Sequence, residues 1–433
     1  MGCNRNCGLI TGAIIGAVLA IFGGVLIPVG DNLIGKAVKK EAVIVNGTAA
    51  FQNWLVPGSS VFREFWIFHV LNPSEVMDEG AQPKFEQRGP YTYRVRYLPK
   101  ENVTEGENGT ISYMLPNAAD FERGMSVGPE NDTVTVLNLA VVAVPAVFPS
   151  SLMQSIINTW VKSSKSAILQ NRTVQEILWG YKDPFLDRVP FPTVNPIVGV
   201  FYPYNGTSDG PYTVYTGTED IAQTAVIESY KNKRSIYGVF YGKQVVKGIT
   251  LYRFVVPREA FASPAEVGDN YCFCTDTEIS KNCTVAGVLD ISACKAKRPV
   301  YISLPHFLHA SESVLQDVEG LSPNEKEHET YLDIEPVTGL TLRFAKRLQV
   351  NLLVKPSKYI EPLKKVKKPY VFPLLWLNES AVIGDEKAEM FRSKISARLE
   401  LLSMLQMALM IGGSVLFLAF MGSYFICRST NTK

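Results

Sequence analysis

A Gly-x-Ser-x-Gly pattern at residues 206–210 places Ser208 where a hydrolase would carry a nucleophilic serine. That chemistry needs a strand before the serine and a helix after it, so that the hydroxyl is exposed on a sharp turn. Residues 211–215 (Pro-Tyr-Thr-Val-Tyr) predict a strand instead, and Asn205 is itself a glycan acceptor. The context that activates a serine is missing, so we predict no catalytic residue here.

The histidines have a spacing that could suggest a metal site. His306 and His309 lie three residues apart, and His328 is followed by Glu329. A zinc protease needs His-Glu-x-x-His, but Leu332 stands where the second histidine should be. We therefore predict structural or surface histidines, no metal or other cofactor, and a protein that is not an enzyme.

An apolar stripe with cations at one end is the strongest candidate for a binding site. Ser151 and Gln154 are spaced as a helix capping box, and Lys162, Lys165 and Arg172 follow the stripe. The stripe has helical spacing and consists of Leu152, Met153, Ile156, Ile157, Trp160 and Val161. Apolar surface beside cations suits a ligand with a fatty tail and an anionic head. The alternative is an ordinary amphipathic helix packed on the domain.

Acidic residues are concentrated between Glu101 and Asp132. The net charge of the chain is +2, which gives no indication of a nucleic-acid binder. The acidic stretch is either a solvated face or a surface that docks a basic extracellular module. The docking candidates are Glu101, Glu105 and Glu107.

Glycan acceptors indicate which part of the chain lies outside the cytoplasm. Asn-x-Ser/Thr sites are modified only on the lumenal side, and all of them fall between two long apolar runs. These predicted glycosylation sites are Asn46, Asn102, Asn108, Asn131, Asn171, Asn205, Asn282 and Asn378.

Cysteine placement agrees with this division. Cys272, Cys274, Cys283 and Cys294 cluster between the apolar runs, as disulfide-bonded cysteines in an oxidising compartment do. Cys3, Cys7 and Cys427 lie beside the runs, where a cytoplasmic thiol is a candidate for palmitoylation; the alternative is an unmodified thiol.

The two apolar runs predict the domain organisation. Residues 8–29 and 401–426 carry no charge, and each is close to the roughly 20 apolar residues that cross a bilayer. The first is predicted to be an uncleaved signal anchor. Residues 1–7 and 427–433 are then cytoplasmic tails, and residues 30–400 form one extracellular glycosylated domain.

Small residues recur every fourth position in the first span, at Gly8, Gly12, Gly16, Ala20 and Gly24. Such a ridge lets another helix approach closely. The partner is either the second span, which has Gly412 and Gly413, or another copy of the chain meeting the Gly8/Gly12/Gly16 face.

The external segment predicts an α+β domain. Period-two alternation predicts strands at residues 91–97, 249–256, 348–354 and 370–377, with a hairpin turn at residues 335–339. Helical patterns are confined to an insertion around residues 145–180, where Thr173 and Glu176 form a second capping box. We therefore expect a mostly antiparallel sheet with a helical insertion.

Several longer motifs make the chain similar to the class B scavenger receptors, over nearly its whole length. They are Phe65-Trp66-Ile67-Phe68, Gln87-Arg88-Gly89-Pro90-Tyr91-Thr92-Tyr93, Leu178-Trp179-Gly180-Tyr181-Lys182-Asp183-Pro184-Phe185, Ser303-Leu304-Pro305-His306-Phe307 and Asp333-Ile334-Glu335-Pro336-Val337-Thr338-Gly339.

The resemblance implies a two-pass plasma-membrane receptor with both termini cytoplasmic and with lipid-raft and Golgi pools. It implies an antiparallel β-barrel-like core with a helical crown at about residues 145–180, and a tunnel that carries lipid toward the membrane. The implied ligands are long-chain fatty acids, oxidised low-density lipoprotein and thrombospondin-like proteins, the last docking near residues 93–120.

The chain departs from the family pattern at the crown. The family's lysine that contacts fatty acid aligns with Ser163, and Lys162 and Lys165 lie beside it. Because an ammonium on a flexible stem tolerates displacement, one of these lysines can substitute. The predicted lipid-binding residues are Lys162, Lys165, Ile156, Ile157 and Trp160.

Compared with the family, the chain lacks roughly forty residues between Arg234 and Ser235. The resemblance implies a Cys274–Cys283 disulfide, and it implies that Cys272 and Cys294 have lost their partners. These two either bridge each other, stay free or cross-link chains. We expect a less stable domain that is partly retained in the endoplasmic reticulum.

Overall fold

The computed structural model of the chain describes residues 5–56, 59–192, 194–225, 227–229, 238–273, 279 and 283–430. The α-helices in chain order are α1 (Arg5–Ala42), α2 (Ala49–Leu55), α3 (Pro73–Glu79), α4 (Leu139–Val147), α5 (Ser151–Ser163), α6 (Val174–Trp179), α7 (Glu312–Leu315), α8 (Glu325–His328), α9 (Asp385–Phe391) and α10 (Ala397–Thr430).

The strands make up most of the segment between α1 and α10. They are β1 (Val61–Val70), β2 (Phe85–Val95), β3 (Glu101–Glu105), β4 (Thr110–Asn117), β5 (Ala119–Phe121), β6 (Thr133–Leu137), β7 (Leu169–Thr173), β8 (Tyr181–Lys182), β9 (Ile197–Val198), β10 (Thr207–Tyr215), β11 (Ile227–Ser229), β12 (Val239–Val246), β13 (Ile249–Val255), β14 (Val288–Asp290), β15 (Val300–Ser303), β16 (Tyr331–Ile334), β17 (Thr341–Val354) and β18 (Tyr370–Val382).

The largest sheet contains ten strands in the order β12-β13-β16-β17-β18-β1-β2-β5, with β15 and β14 branching from β17. Its strand pairs are antiparallel. Among the described residues the outer edges of β12 and β5 have no partner strand. The fold is therefore mixed α and β as expected, but the described part of the sheet is open and does not close into a barrel.

The strands predicted from alternation are confirmed. Residues 91–97 fall largely in β2, and the other three runs belong to β13, β17 and β18. The predicted hairpin is also confirmed, because β16 pairs with β17 across the turn. The Glu335 carboxylate accepts hydrogen bonds from the Thr338 backbone and hydroxyl at 2.7 and 2.6 Å, and Gly339 supplies the positive φ of +72°.

The helical insertion is present, with two differences from the prediction. It begins earlier, at α4, and β7 separates α5 from α6. The capping box at Thr173 and Glu176 is confirmed. The box predicted for Ser151 and Gln154 is wrong, because the Gln154 side chain turns into the domain instead of capping α5.

The terminal helices α1 and α10 extend beyond the predicted spans. Their stretches Cys7–Ala42 and Leu399–Ser429 are long and apolar enough to cross a membrane. Together they fit a two-pass membrane protein.

Three glycines of α1, Gly12, Gly16 and Gly23, face α10. A Cβ added to Gly12 would lie 2.7 Å from the Phe420 ring, and one added to Gly23 would lie 2.8 Å from the Met410 nitrogen. The Gln406 side chain of α10 also donates a hydrogen bond of 2.9 Å to the carbonyl oxygen of Leu26. Close packing of this kind needs small residues at the contact.

Of the two partners left open for this ridge, the structure shows the second span. Gly12 and Gly16 face α10 of the same chain, so they are not available to another copy while this contact is made. Gly8 and Gly24 would have nothing within 4 Å of an added Cβ, so they lie off the contact.

Candidate functional site

Helix α5 is held on the domain by one buried face. Ile157 and Val161 are 4% and 1% exposed and belong to the main core. Gln154 donates to the Phe148 carbonyl oxygen at 2.9 Å and accepts from the Ser357 hydroxyl at 2.7 Å. These contacts fix both the position and the rotation of α5.

The other face of α5 is apolar and open to solvent. Leu152 is 68% exposed and Ile156 is 41% exposed, and Phe148 and Met153 beside them are also exposed. Helix α5 is therefore an amphipathic helix packed on the domain, which was the alternative prediction. The predicted lipid-binding residue Ile157 packs in the core instead of lining this surface, whereas Ile156 is exposed and its contact with lipid stays a prediction. Exposed apolar side chains clustered in this way are typical of an interaction site.

Trp160 lies between these faces. It is partly buried against the core, and its ring meets the exposed Phe191 edge-on with centroids 6.0 Å apart. Phe191 therefore extends the apolar surface beyond α5, which the sequence pattern did not indicate.

The predicted lysines border this apolar surface with different partners. Lys162 forms an exposed ion pair with Glu361 at 3.5 Å, and the Glu361 backbone donates to Asn158 at 2.8 Å. Lys165 follows the helix end at φ +55° and, among the described residues, has no carboxylate partner. Ser163 is exposed on the same last turn. An incoming anion would therefore displace Glu361 at Lys162 but nothing at Lys165.

The site lies at the end of the sheet remote from the terminal helices. Val382, the last residue of β18, leads through α9 into α10, whereas Tyr370 begins β18 at its other end. At about 3.3 Å per residue, a strand of this length covers about 40 Å. The residues that hold α5, Ser357 and Glu361, lie in the loop before Tyr370.

The acidic candidates separate into free and neutralised groups. Asp120 and Glu122 both pair with Arg94, at 3.1 and 3.7 Å. Glu101, at the start of β3, accepts a 2.9 Å hydrogen bond from the Ser208 hydroxyl. Glu105 and Glu107 are exposed and have no cation partner within the described ranges.

Ser208 and the histidines have structural surroundings. Ser208 lies inside β10, so the predicted strand is confirmed and no helix follows it directly.

His306 and His328 stack in the core with ring centroids 4.5 Å apart. Burial lowers the pKa of each to about 4, with a further contribution from the facing imidazole at His306 and from Arg347 at His328. The described residues contain no cluster of His, Cys, Asp and Glu side chains that could hold a metal ion.

Most of the predicted glycan acceptors are accessible. Asn46, Asn102, Asn108, Asn131, Asn171 and Asn205 are exposed, and Asn282 lies outside the described residues. Asn378 differs from the rest because it is half-buried in β18 and its amide donates to Glu64 at 2.6 Å. Its glycosylation remains a prediction that this hydrogen bond disfavours.

The cysteine predictions are partly visible. Cys283 is disulfide-bonded, and Cys7 and Cys427 form no disulfide. Cys3 and Cys274 lie outside the described residues, as do the side chains of Cys272 and Cys294. The pairings and the palmitoylation therefore stay predictions.

Sequence reasoning missed a cationic segment beside α5. We call residues 358–368 the lysine loop. Its side chains include Lys358, Lys364, Lys365, Lys367 and Lys368, all exposed. The signal was available in the run Leu363-Lys364-Lys365-Val366-Lys367-Lys368, which is a short basic cluster between two strands.

A model of the CD36 family matches residues 14–238 and 233–424 of the chain. The chain belongs to the CD36 family. Human lysosome membrane protein 2 is 33% identical over 413 residues, which covers 85% of this chain and 84% of that protein. The rat protein of the same name is 34% identical over 413 residues, which again covers 85% of this chain and 84% of that protein. Scavenger receptor class B member 1 of Cricetulus griseus is 28% identical over 452 residues, covering 94% of this chain and 87% of that protein.

The resemblance to class B scavenger receptors is thus confirmed, and the names of these CD36-family relatives describe no catalytic family. The family match is divided at residues 233–238, which include the position of the expected missing segment. Arg234 and Ser235 themselves lie outside the described residues.

Proposed function

We propose that this chain is a cell-surface scavenger receptor that binds long-chain fatty acids and oxidised lipoproteins and facilitates fatty acid uptake. Membership of the CD36 family and similarity to a class B scavenger receptor support a scavenger-receptor or lipid-binding role. The observation that carries the proposal is the exposed apolar face of α5, with Leu152 and Ile156 beside Lys162.

In this proposal the two parts of a fatty acid meet different side chains. The carboxylate first contacts Lys165, whose ammonium has no carboxylate to release among the described residues. The alkyl chain lies on Leu152, Ile156 and Trp160, and each buried methylene contributes about 0.8 kcal/mol. The helical segment then acts as a crown over a tunnel in a barrel-like core, and lipid moves along its own concentration gradient without ATP.

The proposed topology follows the sequence prediction. Residues 1–7 and 427–433 are cytoplasmic tails, residues 30–400 are extracellular, and the receptor is at the plasma membrane with lipid-raft and Golgi pools. Palmitoylation is proposed for Cys7 and Cys427, which form no disulfide, and for Cys3, because all three lie beside the apolar spans. Because the family match is divided at residues 233–238, we also propose a shortened domain that is partly retained in the endoplasmic reticulum.

The test is uptake of a labelled long-chain fatty acid by cells expressing the chain, normalised to surface biotinylation. The double variant Leu152→Asp/Ile156→Asp should reduce uptake to the vector level, because two charges replace the apolar contact surface. Ser155→Asp/Thr159→Asp is the matched control, since both residues are exposed on the same helix. Equal uptake by the two double variants would refute the role of α5, and no uptake by the unmodified chain would refute transport.

A second function, adhesion to a basic thrombospondin-like module, is favoured by the free carboxylates of Glu105 and Glu107. The variant Glu101→Lys/Glu105→Lys/Glu107→Lys should abolish adhesion, because it reverses the charge that attracts a basic module. It should leave fatty acid uptake intact, because these residues lie in or beside β3 and not on α5. Glu266→Lys/Glu386→Lys, at other exposed sites, is the control. Loss of uptake together with adhesion would contradict the separation of the two functions.

A further inference from the structure

The lysine loop presents its charges from a fixed backbone. Ile360 and Leu363 are fully buried, and they anchor the loop in the main core. The Ser357 hydroxyl accepts hydrogen bonds from the backbone nitrogens of Tyr359 and Ile360 at 3.1 and 3.2 Å. Ile360 and Leu363 therefore point inward, and the lysines before and after them are held at the surface.

Few acids neutralise these lysines. Glu361 is shared between Lys364, at 2.7 Å, and Lys162 of α5, at 3.5 Å. Lys368 pairs with Asp317. Lys358, Lys365 and Lys367 have no carboxylate partner in the part of the chain that the structure describes. Because the whole chain carries a net charge of only +2, positive charge is concentrated here.

The loop also lies at the end of the domain remote from the terminal helices. It connects the end of β17 at Val354 to the start of β18 at Tyr370. The opposite end of β17 follows the turn at Val337, which lines a cavity with Ile27 and Leu399 of the terminal helices. A separation of about 40 Å places the lysines far beyond the Debye length of about 8 Å from the head groups of the receptor's own membrane.

We propose that the lysine loop, together with Lys162, binds a sulfated polysaccharide of the heparin class. Ammonium groups on flexible stems are hydrated point charges that suit a row of sulfates without demanding one geometry. Short basic clusters of this kind form heparin patches, and their affinity comes from electrostatic attraction. The buried anchors reduce the entropy lost when the chain of sulfates binds. This inference does not depend on the fatty acid function.

The test uses the full-length protein in detergent and immobilised heparin, with Kd measured at 0.15 M and 0.5 M salt. The unmodified protein should bind, and its affinity should fall at the higher salt concentration because the charges are screened. Lys358→Ala/Lys365→Ala/Lys367→Ala should weaken binding at least about tenfold, since each lysine near an anionic surface contributes measurably. These side chains have no partner in the described structure, so their removal should not disturb folding.

The control Lys243→Ala/Lys297→Ala/Lys326→Ala removes the same charge from exposed sites elsewhere, and it should stay within about twofold of the unmodified protein. Equal weakening by both triple variants, or none by the loop variant, would overturn the proposal. The proposal would also be overturned if the protein did not bind heparin and instead bound phosphatidylserine vesicles through the same lysines. The loop variant should keep normal fatty acid uptake, which separates this test from that of the proposed transport function.

Discussion

Gly16 and Gly413 bring the backbones of the two terminal helices into direct contact. A Cβ added to Gly16 would lie 2.9 Å from the carbonyl oxygen of Gly413, and one added to Gly413 would lie 2.7 Å from that of Gly16. Two backbones can approach this closely only where neither residue has a side chain. The contact makes α1 and α10 a pair within one chain.

We predict that Gly16→Leu lowers the melting temperature of the detergent-solubilised protein and reduces its surface expression. The added side chain would collide with the backbone nitrogen of Phe417, 2.5 Å from an added Cβ, and overpacking of this kind typically costs about 1–3 kcal/mol. Gly24→Leu is the control because its added Cβ would meet nothing within 4 Å. Equal melting temperatures for the two variants would show that the helices do not pack as described.

Glu379 is a buried anion with three cations around it. Its carboxylate accepts hydrogen bonds from the Arg63 guanidinium and, at 2.6 Å, from the Arg96 guanidinium. Lys346 lies opposite Glu379 on the neighbouring strand β17. Burial alone would raise the pKa of Glu379, but these charges outweigh it and lower the pKa to about 2.

We predict that Glu379→Gln lowers the free energy of unfolding by about 1.5–3 kcal/mol, because the partly exposed Arg63 and Arg96 lose their hydrogen bonds to a charged acceptor. The control is Asp120→Asn, whose exposed pair with Arg94 should contribute no more than about 1 kcal/mol. Thermal unfolding of both variants at pH 7 measures the difference. A loss at Glu379 no larger than that at Asp120 would mean that water reaches the cluster.

The stacked histidines predict a loss of stability in acid. In the unfolded chain an imidazole takes up a proton near pH 6.5, whereas His306 and His328 do so only near pH 4 when folded. The unfolded state therefore binds more protons between these values, and stability falls as pH is lowered from 6.5 to 4.

The variant His328→Gln should reduce this dependence, because glutamine does not titrate. The measurement is the melting temperature of the variant and the unmodified protein between pH 7 and pH 4.5. Parallel profiles would show that His328 does not contribute, and the remaining slope in the variant reports on His306 and the other titrating groups.

The hydrogen bonds of Gln154 predict that the placement of α5 matters for uptake. Gln154→Ala removes the bond to Phe148 and leaves the Ser357 hydroxyl without its acceptor, which should cost about 1–3 kcal/mol. Fatty acid uptake per surface molecule should fall although every exposed apolar side chain remains. Gln175→Ala, at an exposed position of α6, is the control and should leave uptake unchanged. Unchanged uptake in Gln154→Ala would mean that the orientation of α5 is unimportant.

The sequence alone determined the local elements. Alternation predicted β13 and β18, the residues from Glu335 to Gly339 predicted the hairpin turn, and Thr173 with Glu176 predicted the cap of α6, because each depends on contacts within a few residues. The two membrane-spanning candidates followed from composition and length.

Only the tertiary structure decided which surfaces meet. It assigned Ile157 to the core and Ile156 to solvent, and it placed the lysine loop beside α5. Arg63 and Glu379 form an ion pair although they are 316 positions apart in the sequence. His306 and Gln87 form a hydrogen bond although they are 219 positions apart. Periodicity carries no information about partners at such separations, since it reports only which residues share a face of one element. Which face is covered, and by what, depends on how the whole chain packs.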